Sequence, residues 1–172
     1  MVQAWWQAGV MAGLLAASLG ALAAPADDHQ RGLQSYQRGD VVTAMATLRG
    51  AAQAGYAPSQ ALLAFILEGA DFREEAAKLY RDAAAQGNAE GHAGLGGLLI
   101  SGRGIAKDEK QALVHFSKAA ELGHAASIEV LIQVYRDGLY GATADPAQAA
   151  AWRARAAALR KPTLAPAAKA SP

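Results

Sequence analysis

Residues 108–123 read Asp-Glu-Lys-Gln-Ala-Leu-Val-His-Phe-Ser-Lys-Ala-Ala-Glu-Leu-Gly, and drifted copies of this phrase recur along the chain. Its frame is Asp108, Ala112, Phe116, the pair Ala119-Ala120 and a closing Gly123. An earlier copy runs Asp40, Ala44, Leu48, Ala51-Ala52, Gly55, and another closes on Ala83-Ala84 and Gly87. The last runs Asp145, Ala149, Trp152, Ala156-Ala157, with Arg160 in the glycine slot. The closing positions stand 32, 36 and 37 residues apart. A period in that range marks a stacked repeat array, in which each unit buries its apolar face against its neighbours.

Between the phrases lie apolar segments that end in glycine: Leu62 to Gly69, Leu95 to Gly102, Leu131 to Gly138 and, more weakly, Gly32 to Gly39. A large side chain stands three residues before each closing glycine: Tyr36, Ile66, Leu99 and Tyr135. Each segment predicts a short helix stopped by a glycine C-cap. Each following phrase opens with Asp at or near an N-cap, and Pro146 occupies the first helical position of the last one. The unit is helix, turn, helix, with four units at 27–55, 58–87, 89–123 and 125–160 inside a repeat domain of residues 24–160. The turn within the unit is short at Gly39-Asp40 and Gly69–Asp71, and long at 102–108 and 138–145. The expected fold class is all-α, a right-handed α/α solenoid of four helical hairpins.

At 172 residues the chain allows one compact domain or one short solenoid. Abundant alanine and few aromatics favour closely approaching helices. A formal net charge of +1 argues against a nucleic-acid partner. With no cysteine, disulfides, thiolate catalysis and Cys-ligated zinc drop out. Residues 8–24 are apolar and uncharged, end in the small-x-small motif Ala21-Leu22-Ala23, and precede Asp27-Asp28. That layout predicts a secretory signal peptide at 1–23 and a periplasmic or secreted product, although residues 1–7 lack the usual Lys or Arg. The alternative is an uncleaved inner-membrane anchor facing the periplasm, which would be the protein's sole membrane contact. Residues 161–172 carry no periodicity and are expected to be a disordered tail.

These positions resemble the Sel-one-like repeat, a relative of the tetratricopeptide repeat. The resemblance is carried by Leu95-Gly96, Gly102-Arg103-Gly104-Ile105, Asp108, Ala112, Phe116 and Ala119-Ala120-Glu121-Leu122-Gly123 in the third unit. In the fourth it is carried by Tyr135, Gly138, Asp145-Pro146, Ala149, Trp152 and Ala156-Ala157. The first two units lack the long Gly-x-Gly turn and look closer to tetratricopeptide repeats. The resemblance implies an adaptor of the bacterial envelope, or a protein of signalling or toxin neutralisation.

Catalytic and metal motifs are weak. His29, His92, His115 and His124 offer no i, i+4 pair of the helical zinc type. His124 falls in the slot after Ala-Ala-x-x-Gly that Tyr56 and Asn88 occupy in other units, which makes it a turn residue. Ser35, Ser59, Ser101, Ser117 and Ser127 sit in neither a Gly-x-Ser-x-Gly elbow nor a Ser-x-x-Lys pair. Gly91, Gly94, Gly96 and Gly97 follow no strand and read as close-packing positions rather than a phosphate loop. Arg153, Arg155, Arg160 and Lys161 read as a solvated capping helix with cations at its negative end, the other reading being an acidic partner.

Tetratricopeptide relatives bind peptides on the concave face built by each unit's first helix. Transferred through the Leu-Gly…Tyr register, whose large residue stands three before each closing glycine, that face contains Gln34, Gln60, Ala64, Leu67, Gly97, Ile100, Gln133 and Arg136. Gln30, Gln37, Arg38, Glu68, Glu90, Ala93, Ser101, Glu129 and Asp137 share it. Its apolar middle with a polar rim suits an extended peptide or an amphipathic helix. The expected function is a non-catalytic periplasmic interaction scaffold for a protein or peptide, with no cofactor, metal or nucleic acid. Two alternatives stand beside it: an immunity protein against an exported toxin such as a phospholipase, and a cell-envelope enzyme using His92 or His115 as base.

Overall fold

A computed structural model of the chain describes residues 24–160, so the expected signal segment at 1–23 and tail at 161–172 lie outside it. The described residues form eight helices and no strands. The first, α1, spans 24–37. It is followed by α2 (Val41–Gln53), α3 (Ala57–Gly69), α4 (Arg73–Ala85), α5 (Ala89–Ser101), α6 (Glu109–Glu121), α7 (Ala125–Asp137) and α8 (Pro146–Arg160). Helices α3–α4, α5–α6 and α7–α8 pair into hairpins, α1 meets α2 where Gly32 faces Leu48, and α2, α4 and α6 each also pack on the odd helix that follows. The chain is an all-α solenoid of helix-turn-helix repeats. Its α3 packs on α5, while no two even helices make comparable contact, so this part of the stack curves toward the odd-helix side.

The repeated alanines are the contacts between units. Ala51-Ala52, Ala83-Ala84 and Ala119-Ala120 are all buried, as are Ala44, Ala76, Ala112 and Ala149, which stand seven residues, about two helical turns, before the pair in each phrase. Small side chains there let successive helix axes approach closely. Leu48, Tyr80 and Phe116 then fill the space between the hairpins' two helices and the next unit. Glycines on the facing odd helices make room for them. A Cβ at Gly32 would strike the Leu48 side chain, one at Gly94 the Tyr80 ring, and one at Gly96 would lie 3.1 Å from the Phe116 ring. The packing reading of Gly91, Gly94 and Gly96 therefore has direct contacts behind it, whereas Gly97 faces open space.

Caps follow the pattern in three units and depart from it in one. Asp40 accepts from the Thr43 N–H at 3.0 Å, Asp108 from Gln111 at 2.9 Å, and Asp145 from Ala147 and Gln148 at 2.9 and 3.0 Å. In the second unit the N-cap is Phe72, with no side-chain bond, and Asp71 pairs with Arg73 instead. Gly69 is the last residue of α3 rather than its stop, and Asp71 takes the left-handed conformation at φ +71°. Aspartate tolerates that region better than most residues, which lets it stand where Gly39 stands in the first unit.

The two glycines that flank the second and third turns should therefore respond oppositely to alanine. Gly104, at φ +74°, would place a Cβ 2.5 Å from the Arg73 carbonyl carbon, so Gly104→Ala combines left-handed strain with a backbone clash. A loss of about 2–4 kcal/mol in urea unfolding is expected. Gly69→Ala meets nothing within 4 Å and sits in a helix, so it should gain about 0.5–1 kcal/mol.

Candidate functional site

The curved odd-helix side carries a groove of about 790 Å³. From α1 it takes His29, Leu33, Tyr36 and Gln37; from α3, Pro58, Ala61, Leu62, Phe65 and Glu68; from α5, Glu90, Ala93, Gly94 and Gly97, together with its N-cap Asn88. Tyr80 reaches in from α4 and His124 from the start of α7. The i, i+3, i+4, i+7 spacing on α3 and α5 shows that each helix gives the groove a single face. Phe65 is 54% exposed, and its ring meets Tyr36 edge-on with centroids 6.1 Å apart. Beyond that aromatic pair lies a second cavity of about 640 Å³ with Val41, Arg73 and Arg103 on its walls.

The polar groups of the groove are held by one another. The Tyr80 hydroxyl donates to Glu68 at 3.3 Å, and burial together with the Glu68 carboxylate raises its pKa so that it stays protonated. Glu68 also faces Arg103 at 3.6 Å across the boundary between the two cavities. His124 is the N-cap of α7: its Nδ1 accepts the Ser127 N–H at 3.1 Å, and Nε2 lies 3.1 Å from Glu90. Ser127 Oγ is 2.8 Å from the same Nδ1, so serine, histidine and glutamate form a line. That line cannot serve a nucleophilic serine, because Ser127 is buried and the imidazole nitrogen facing it is engaged in capping. Ser59, likewise buried, lies 3.2 Å from His29 Nδ1.

The transferred binding face falls partly on the groove. Gly97 lies in its floor, and Gln37, Glu68, Glu90 and Ala93 line it. Gln60, Ala64 and Leu67 do not: they are 6%, 0% and 1% exposed, with Gln60 donating to the Ala52 carbonyl at 3.2 Å. Gln34 is exposed beside the groove rather than in it, and Ile100 packs on the core around Phe116. Gln133 and Arg136 are exposed on α7, outside the groove, with Arg136 held by Asp137 at 2.6 Å. On α1 and α3 the face is rotated by one residue, in opposite senses, while on α5 Glu90, Ala93 and Gly97 fall where expected. Counting back from a glycine assumes that every helix ends at the same distance from it. Gly102 and Gly138 follow their helices directly, Gly39 stands two residues beyond α1, and Gly69 is still inside α3. Counting forward from Gly55, Gly87 and Gly123 finds Phe65, Gly97 and Gln133 in one register.

His92 and His115 come together, a pairing that no local spacing announced. Their Nδ1 atoms are 2.9 Å apart between α5 and α6, with His92 only 6% exposed. Burial lowers both pKa values; Lys118 adds to this at His92, and His92, Lys118 and Arg81 add to it at His115. Among the described residues no three His, Asp or Glu side chains converge as a metal site, and no helix is long and apolar enough to cross a membrane.

No family model and no curated protein matches the sequence. Solved structures do match the fold. A Sel1 repeat protein from Oxalobacter formigenes superposes with a TM-score of 0.70 at 25% identity, over 78% of this chain and 58% of its own. A protective antigen of uropathogenic Escherichia coli with an SLR fold gives 0.70 at 24% identity, over 84% of this chain and 32% of its own. The chain thus spans about a third to three-fifths of the length of these two proteins.

The imidazole pair sets a pH dependence. Unfolded histidines take up protons near pH 6.5, while the folded pair, with lowered pKa values, resists them. Its contribution to stability is present above that pH and is lost as pH falls through the folded values. Urea midpoints should therefore fall between pH 7.5 and 5, and His115→Phe should flatten that slope. Equal slopes for the two proteins would remove the pair as the cause.

Proposed function

We propose that this Sel-one-like repeat solenoid is a non-catalytic protein-interaction scaffold that holds a segment of a protein partner in the groove between α1, α3 and α5. The observation that carries the reading is the apolar wall of half-buried Leu33 and Leu62 and exposed Phe65 opposite the open floor at Gly97. An apolar channel edged by hydrogen-bonding groups can cover side chains of an extended or helical segment while its rim fixes their register. The histidines and serines nearest the groove support the non-catalytic part: each is engaged in a cap, a pair or a buried contact. The periplasmic location belongs to the same proposal and rests on the uncharged apolar run at 8–24 and the Ala21-Leu22-Ala23 motif.

Filling the groove separates this reading from others. Gly97→Trp adds an indole where a Cβ meets nothing, and Gly50→Trp does the same on the exposed surface of α2. A photo-crosslinking residue at Phe65, expressed with the full chain in a bacterium that exports it, identifies the bound protein. Against that purified protein, calorimetry should show at least a roughly tenfold loss of affinity for Gly97→Trp, about 1.4 kcal/mol, and none for Gly50→Trp. Equal affinities for the two variants would place the interface elsewhere.

A further inference from the structure

We propose that the occupant of the groove is an extended peptide segment whose apolar side chains are flanked by lysine or arginine; this rests on the scaffold reading above. The groove is lined by two carboxylates, Glu68 and Glu90, and by no lysine or arginine. Glu90 is 69% exposed at one end, and its contact there is a histidine that accepts a backbone N–H through Nδ1. Tyr80 holds its proton beside Glu68 and therefore adds a donor but no charge of its own. Arg73 pairs with Asp71, whereas Arg103 offsets Glu68 at 3.6 Å, so Glu90 is the groove carboxylate without an arginine or lysine partner, and a cation at Glu68 would compete with Arg103. A cation is thus the complementary group at the Glu90 end, and an acidic segment would be opposed there.

Helix register gives the spacing. Glu90 is the second residue of α5 and Glu68 the second-last of α3, and the two helices are in-register repeats of equal length. The two residues are therefore offset along the helix axes by about ten positions, roughly 15 Å at 1.5 Å per residue. An extended chain covers that in about four or five residues at roughly 3.3 Å each. Between the two ends stand Phe65 and Leu62 on one side and the open floor at Gly97 on the other, which suits leucine or phenylalanine side chains.

Fluorescein-labelled ten-residue peptides test the assignment, with two positions four residues apart set to Lys, Gln or Glu and leucine, phenylalanine or alanine between them. Anisotropy with the full chain should show Lys members binding at least tenfold more tightly than Glu members. Glu90→Lys, at an exposed position, should invert that order, and raising salt to about 0.5 M should compress it. Charge-indifferent or Glu-preferring binding that Gly97→Trp still blocks would overturn the partner chemistry and leave the groove reading intact. Binding that Gly97→Trp leaves untouched, or no binding by any member, counts against both. Residues 161–172 carry Lys161 and Lys169 and no Asp or Glu, so a chain ending at Arg160 is the remaining arm. Tenfold tighter peptide binding by that shorter chain would assign the groove to this segment in cis and overturn a separate partner; unchanged binding supports one.

Discussion

Everything in this molecule depends on how closely successive helices can approach at the alanine pairs. Ala51-Ala52, Ala83-Ala84 and Ala119-Ala120 lie with almost no exposed surface where one unit meets the next. A single larger side chain at such a contact would push the axes apart, and the displacement would pass to every later unit because each touches only its neighbours. Alanine also costs least to hold in a helix, so the same residues that set the spacing favour the helices themselves. The bulky member of each phrase is then accommodated by removing side chains opposite it, as Gly94 does for Tyr80 and Gly96 for Phe116.

The groove is a consequence of that spacing. Odd helices in close contact, as α3 and α5 are, curve the stack and leave a concave side on which side chains converge. Large residues on α1 and α3 face small ones on α5, with Phe65 and Leu62 opposite Ala93, Gly94 and Gly97. The glycine run of α5 therefore has two uses. Gly91, Gly94 and Gly96 admit neighbouring helix surfaces, and Gly97 leaves a floor over which a ligand side chain can sit. Tyr80 joins the two sides: its ring fills the space above Gly94, and its hydroxyl reaches the groove carboxylate Glu68.

Most of the fold was legible because it is written several times. The period, the Asp caps at 40, 108 and 145, and the alanine pairs located the hairpins, since each of these has a local physical cause that repeats. The binding face was legible only in part, because it depends on the rotation of a helix by about 100° per residue. One misplaced residue moved Phe65 out of the face and put Ala64 into it. The misleading signal was Gly69, whose identity suggests a helix stop although the left-handed turn falls on Asp71. The His92–His115 contact was not legible for a different reason. It joins two helices of one hairpin, and only their three-dimensional packing brings positions 23 residues apart to 2.9 Å.

The final helix shows how the same constraint ends. In register with α6, the pair Ala156-Ala157 on α8 corresponds to Ala119-Ala120, and Arg153 rather than Trp152 corresponds to Phe116. Trp152 packs back on the core of its own hairpin, whereas Arg153 and Ala157 are exposed. Among the described residues, the surface that would receive a further unit thus carries a cation where the earlier phrases carry a buried bulky residue. Its neighbours turn inward: Arg155 donates to the Glu121 carbonyl at 2.7 Å, and Arg160 to Glu129 at 2.8 Å. Stacking another helix on α8 would bury the Arg153 guanidinium, at a cost of several kcal/mol unless that helix brought a carboxylate to meet it. The exposed Arg153 and the paired Arg155 and Arg160 thus give α8 a polar outer face.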